Sequence, residues 1–456
     1  MIELRKVNKF MAPYVVTKFV FDPIGGSKAI YNSYGSFVQV MPKVIFGVGP
    51  QFAREILSNH SVFLGSAIMV KGPENSAFGR LRKVYFAAHG KEYSHYQKQF
   101  RPYFKKPVVD NSLDGITRVC QDEISSWPVN KNMDFYPLLT RLATRLAIVT
   151  FFKEESNELA TTAAFEARKL VRLGGLSLRN LSSKPLPGST YKQMLAQGDI
   201  TEKAILAWAE TRKDMCPEHD IMASIMHNPD ENGCPASGGR IAAYVLNLFG
   251  ASYETTVSAG STSFALLAQY PDMAGRIREE LKAAGWTKDG DQKIVETLPF
   301  LDWFTRETLR MFPPGPMQMR RTGEATTLLG HDIKKNTKIA YSAWQSNRLE
   351  EIYNNPNMFN PERWDGASYS PYEWPTFSAG ARRCTGMFFG LAYIKLVIAN
   401  LVASYDFVSE SGSRIDLTLR ITLKPKKELP LTLVPAGKAP KNPPKIGGNF
   451  GKYLGN

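Results

Sequence analysis

The stretch "FSAGARRCTGMFFGLAYIKLVIANLVASY", Phe377 to Tyr405, sets a lone cysteine in a tight basic loop ahead of a nearly all-apolar run. Cys384 precedes a helix N-terminus, where backbone N–H groups and the helix dipole favour a thiolate. Gly380 and Gly386 permit a turn whose backbone can approach a flat ligand closely. Arg382 sets a cation beside the sulfur, suited to a carboxylate. A thiolate, a close glycine backbone and an adjacent arginine together meet the needs of an iron porphyrin with propionates. Thiolate ligation pushes electron density onto iron and favours O–O cleavage. The bland alternative is a buried, inert cysteine, the usual fate of a lone Cys.

The apolar run after the loop admits two readings, a membrane span or a core helix. Lys395 and Asn400 lie inside it, and a central Lys costs about 2.5–3.5 kcal/mol on insertion scales. A helix apolar nearly all round is otherwise a core helix, which is the reading adopted. Near the N-terminus Lys9, Pro13 and Lys18 break up the apolar clusters. No stretch there approaches the roughly 20 residues a membrane helix needs, so neither a signal peptide nor a membrane anchor is expected. Cys120, Cys216, Cys234 and Cys384 are too scattered for a disulfide framework, and a reducing cytoplasm is expected. The net charge of +15 points to an acidic partner or surface.

Of the 456 residues, 43% are apolar and 22% charged, enough for a sizeable core. Residues 37–57 read as two short strands, a Gly-Pro turn and a helix from about Gln51. Residues 90–106 form a basic, aromatic helix candidate. Arg240 to Tyr270 has no breaker strong enough to stop a helix. Residues 415–434 alternate like a final sheet, and 436–456 is a Gly/Pro/Lys-rich tail expected to be loosely held. With no repeat and no central linker, the expected division is an N-terminal segment 1–36, one mainly helical domain over 37–435, and the tail 436–456.

Further motifs accompany the cysteine loop. "ETLR" sets Glu307 and Arg310 at i, i+3 on one helix face, and "NPERW" supplies Arg363. "FGASYETT" over 249–256 places Ala251 and Thr255 on one face of the long helix, with Glu254 adjacent. Together with Phe377-x-x-Gly380-x-Arg382-x-Cys384-x-Gly386, this set resembles the cytochrome P-450 family, the haem-thiolate monooxygenases, and in particular the soluble bacterial type.

The resemblance implies a mainly α fold with small β-sheets and haem b held between the long central helix and the cysteine loop. Cys384 would be the axial iron ligand, with Phe377, Gly380, Gly386 and Ala251 against the macrocycle. Arg382 and Arg320 would hold propionates. Tyr93 and Gln97 stand where the family usually has tryptophan and arginine, and His95 is an alternative propionate contact. Thr255 and Glu254 would serve oxygen activation, with Ser252 at a position usually glycine. Glu307, Arg310 and Arg363 would form a structural core beneath the haem. The substrate pocket would draw on Asn247, Leu248, Ala251, Gly315, Pro316 and Met317, with 66–88, parts of 165–205 and the 419–422 turn.

The implied activity is oxidation of a lipophilic small molecule (a terpenoid, polyketide or fatty acyl chain) in specialised metabolism, with O2 as co-substrate. Electrons would come from a ferredoxin or flavodoxin with its reductase. The donor would dock on Lys91, Lys98, Arg101, Lys105, Lys106, Arg383 and Lys395. A haem-thiolate peroxygenase or isomerase needing no redox partner is the alternative, and Glu254–Thr255 argues against it. Nucleic-acid binding is set aside because the haem signature accounts for the chain. Cys216, His219, His227 and Cys234 fit no compact zinc template.

Overall fold

A computed structural model describes residues 3–65, 72–82, 88–155, 157–174, 184–217, 220–229 and 233–455. The breaker-free segment forms one helix, Gly238–Gln269, of 32 residues. The Ser237 side chain caps its start by accepting from Arg240 N–H, and the helix stops at Tyr270, whose successor Pro271 disfavours the helical region. At 1.5 Å per residue this long helix runs about 48 Å. Helices Phe135–Phe152, Thr190–Glu210 and Met387–Val402 pack around it. Burial explains their composition. Phe135–Phe152 is apolar and long enough to cross a membrane, yet it lies largely inside the protein.

Met387–Val402, the apolar run after the cysteine, is likewise a core helix. Its one cation, Lys395, is buried and pairs with Asp302 at 2.5 Å. This corrects the reading of Lys395 as part of a donor-docking surface. A partner 93 positions upstream leaves no mark on local spacing.

A six-stranded sheet flanks the helices in the order Arg5–Lys6, Phe37–Met41, Val44–Gly47, Lys338–Ser342, Met317–Thr322, Phe63–Gly65. Phe37–Met41 and Val44–Gly47 are antiparallel, and Pro50–Ser58 follows as a helix, matching the reading of 37–57. Arg5 and Lys6 pair in parallel with Val38 and Gln39, so the first residues join this sheet and do not stand apart from it. Tyr405–Val408, Pro430–Pro435 and Asn132–Asp134 make a three-stranded sheet. Leu417–Leu419 and Leu423–Pro425 form a separate hairpin.

The tail departs from expectation. Gly448–Tyr453 is a short helix, and Phe450 is fully buried with its ring stacked on Phe312 at 5.1 Å. Tyr453 meets Trp344 edge-on at 4.8 Å. Gly, Pro and Lys set the composition of this segment, but these two aromatics and Ile446 dock it.

Candidate active site

The cysteine loop is built from two 3₁₀ turns, Pro375–Phe377 and Gly380–Arg382, leading into Met387–Val402. Between the turns Ser378 adopts φ 58°, ψ −174°, a region essentially reserved for glycine, at about 1–3 kcal/mol. Its Oγ donates to Gln318 Oε1 at 2.9 Å and its N–H to Pro375 O at 2.9 Å, which hold it there. At Gly380, φ is +66° and a Cβ would lie 2.2 Å from the Leu57 carbonyl oxygen, so only glycine fits. The Cys384 N–H closes the loop by donating to Phe377 O at 2.8 Å.

Cys384 is exposed by surface area, yet protein crowds it closely enough that burial pushes its thiol up. The Gly386 N–H and the Arg383 charge oppose this without overcoming it. The sulfur is thus reachable, though protein surrounds most of it. The loop therefore does not by itself stabilise the thiolate expected at a helix N-terminus. A coordinating metal, which deprotonates a thiol outright, would supply that stabilisation.

Two arginines converge near the loop. The Arg382 guanidinium lies 4.1 Å from the centre of the Tyr93 ring, donates to Ala88 O, and sits 3.0 Å from His89 Nδ1. Tyr93 Oη donates to Ala381 O at 2.9 Å and accepts from Gln97 Nε2 at 2.7 Å. Thus Tyr93 and Gln97 brace the loop from helix Gly90–Phe100. Arg320, on the strand Met317–Thr322, is buried, and among the described residues no carboxylate pairs with it. Burial first, and then the Arg382 charge, lower it to about 10. A buried cation with a second cation beside it is costly. The sulfur and these arginines would suit a haem whose carboxylates meet Arg320 and Arg382.

His89 was not singled out by the sequence reading. His89, at the N-cap of the helix, meets Arg382. The signal available was its place just before "GKEYSHYQKQF".

Behind the loop, Glu307 and Arg310 are both fully buried and paired at 2.8 Å. Arg363 reaches Glu307 at 2.8 Å, and Trp364 Nε1 donates to its other oxygen at 3.0 Å. Burial alone would push the Glu307 carboxyl up; Arg310, Arg363 and the Asn360 N–H outweigh it and hold the carboxyl below its usual range. The cluster is tied to the cysteine loop. Asn347 Nδ2 donates to Arg310 O and Thr376 Oγ1, and rings step from Trp364 to Trp374 to Phe377.

On the long helix, Ala251 and Thr255 are exposed while residues 257–269 are buried. The Thr255 hydroxyl donates to Ala251 O at 2.7 Å, and Ser252 bonds Leu248 O at 2.6 Å. Such back-bonding bends helices locally. Glu254 points elsewhere. It is buried, accepting from Tyr253 Oη at 2.7 Å and Thr422 Oγ1 at 3.2 Å, near Tyr136, Arg168 and Lys424. Acid and alcohol thus do not share one face.

Among the expected pocket residues, Gly315 borders open space, since a Cβ there would meet nothing within 4 Å. Asn247 and Met317 are half-buried, whereas Leu248 and Pro316 are packed in. Residues 66–71, 83–87 and 175–183 of the expected lining fall outside the described residues, as does His219.

The family model described as Cytochrome P450 matches residues 28–432. The chain belongs to the cytochrome P-450 family. It is accordingly an oxidoreductase of the monooxygenase class, with a haem-iron cofactor and O2 as co-substrate. A cyclooctat-9-en-7-ol 5-monooxygenase of Streptomyces melanosporofaciens is 24% identical over 84% of this chain and 85% of its own length. A germacrene A hydroxylase of Saussurea costus is 28% identical over 91% of this chain and 89% of its own. The solved structure of retinoic acid-bound cyanobacterial CYP120A1 covers 92% of this chain and 96% of its own, with a TM-score of 0.80 at 22% identity. That likeness establishes the P-450 fold.

The surface of this P-450 carries exposed cations beside the cysteine loop's supporting helix. Lys91, Lys98, Arg101, Lys105, Lys106 and Arg383 are all exposed. Lys106 is engaged by Asp110 and Glu296.

Proposed function

We propose that this P-450 oxidises a terpenoid-like lipophilic molecule in specialised metabolism, with electrons from a separate acidic ferredoxin or flavodoxin. The observation that carries the chemistry is the strained cysteine loop, which includes Arg382, beside the buried Arg320. The substrate class rests on relatives named for terpene oxidation and on the mostly uncharged lining. The exposed cations from Lys91 to Lys105 suit an acidic donor, and the free cysteines suit a cytoplasmic setting.

Bound haem b supplies the redox iron at which O2 is activated. Cys384 would hold the iron, and Arg320 and Arg382, the latter oriented by Tyr93 and His89, would hold the carboxylates. Thr255 donates its own hydrogen to Ala251 O, so its oxygen lone pairs remain free to accept a hydrogen bond. Glu254, on the other side of the helix, can take up a proton and pass it inward only by leaving Tyr253 or Thr422. Ala251 and Gly315 leave room for the substrate.

The test is a screen of haem absorbance against cyclic terpenes, linear fatty acids and polyketide fragments. Terpenes are expected to give the largest substrate-induced shift. A response confined to fatty acids, or to none of the three, overturns the substrate class.

A further inference from the structure

The family match ends at 432, yet the chain continues into an ordered segment with specific bonds of its own. Asn449 is its centre. The Asn449 side chain accepts from Leu417 N–H at 2.6 Å and donates to Leu417 O at 2.8 Å, while its backbone N–H donates to Asp416 Oδ1 at 2.9 Å. Phe450 N–H donates to Ile415 O, and Gly447 bridges Arg414. Gly448 has φ +82°, and a Cβ there would lie 2.3 Å from Ile415 O, so this close approach requires glycine. Ile446 N–H donates to Gln269 Oε1 at the end of the long helix. Apart from the Ile446 bond to the long helix, these bonds grip residues 414–417, the foot of the hairpin Leu417–Pro425.

The hairpin is short, with Leu417 facing Pro425, Thr418 facing Lys424 and Leu419 facing Leu423. A two-stranded ribbon of this kind is marginal by itself and holds its place only through what grips it. At its far end Leu423 N–H donates to Pro314 O at 3.0 Å, Ser258 Oγ donates to Leu423 O, and Thr422 Oγ1 donates to Glu254 Oε2. Foot and tip of one small ribbon thus join the C-terminal segment to the acid of the long helix.

We propose that residues 446–454 act as a clamp on the hairpin, and that Thr422 is a positioning residue which transmits the clamp to Glu254. With the foot held, the Thr422 hydroxyl stays in register with Glu254 and keeps that carboxylate behind the helix until it is needed. With the foot loose, Glu254 loses one of its two hydroxyl donors and its orientation is no longer set. The proposal rests on Glu254 serving the reaction.

The test compares Asn449→Ala, Thr422→Val and Thr422→Ser in the full-length haem-loaded protein, by amide hydrogen exchange and by product formed per electron. Loss of the two Asn449 side-chain bonds is expected to speed exchange at 417–425 about tenfold or more, with the remaining core unchanged. Thr422→Val is expected to lower product per electron several-fold, and Thr422→Ser to restore it. Unchanged exchange at 417–425, faster exchange over the whole chain, or equal behaviour of Thr422→Val and Thr422→Ser overturns the proposal. Where Asn449→Ala yields no folded protein, the Val–Ser pair decides alone. Glu254→Gln separates the two readings. A wild-type yield in that variant removes the catalytic reading of Glu254, while the exchange result still decides whether the clamp exists.

Discussion

The cysteine loop and the centre of the long helix solve opposite problems. The loop is over-determined, with a glycine that admits no Cβ, a serine held in a glycine-like conformation, and two rigid rows of contacts behind it. The helix centre is held lightly. Among the described residues Thr255 bonds backbone of its own helix, and Glu254 is set by hydroxyls from Tyr253 and Thr422. A metal ligand must not move, whereas groups that pass protons must change partners. Damage on the loop side should therefore cost folding and haem retention, and damage on the helix side should cost efficiency with haem in place.

The largest effect is expected at Glu307. Removing one partner of a buried charge cluster costs about 3–5 kcal/mol, a large share of a marginal stability. Glu307→Ala should yield little holoprotein and a much lower melting temperature. A normal haem yield would show that the cluster does not support the loop. Acid should act on the same group. Its folded value lies below its unfolded one, so the stabilisation is complete above about 4.5 and is lost as pH falls through the folded value. Glu307→Gln should flatten the acid limb of a stability curve, and an unaltered limb would assign the acid sensitivity to other carboxylates.

Arg320 comes next and has two signs. Losing a hydrogen bond to a charged group costs about 1.5–3 kcal/mol, so Arg320→Ala should weaken haem binding about 10–100-fold. The apoprotein, relieved of a buried cation repelled by Arg382, should melt no lower than wild type. A less stable apoprotein with unchanged haem affinity would make Arg320 a packing residue.

What could be read from the sequence follows the same division. The tight turn at Gly380 was legible because glycine encodes a local backbone requirement. Ser378 was not, because Gln318 and Pro375 impose its strain. Lys395 passed for a surface charge because Asp302 lies on another helix. The tail looked loose because composition counts Gly, Pro and Lys, while Phe312 and Trp344, which receive its rings, lie over a hundred positions upstream. Glu254 and Thr255 read as a pair, since adjacency does not show that one is claimed by Thr422.

On the helix side, Thr255→Ala should leave haem content and melting temperature near wild type and send most electrons to hydrogen peroxide. Product per electron is the quantity to follow, and equality with wild type would remove Thr255 from proton delivery. The smallest effect belongs to the surface. Lys98→Glu with Arg101→Glu should slow electron transfer from an acidic donor at low salt, the difference fading as the Debye length shortens to about 8 Å. Equal rates across a salt series would place the docking face elsewhere.

We propose that the Cys384 thiol is the group that holds the haem iron. The reduced protein under carbon monoxide is the direct measurement, taken on wild type and on Cys384→His. Wild type is expected to show the absorbance band specific to thiolate ligation, and Cys384→His to lose it. An unchanged band in Cys384→His would contradict the claim.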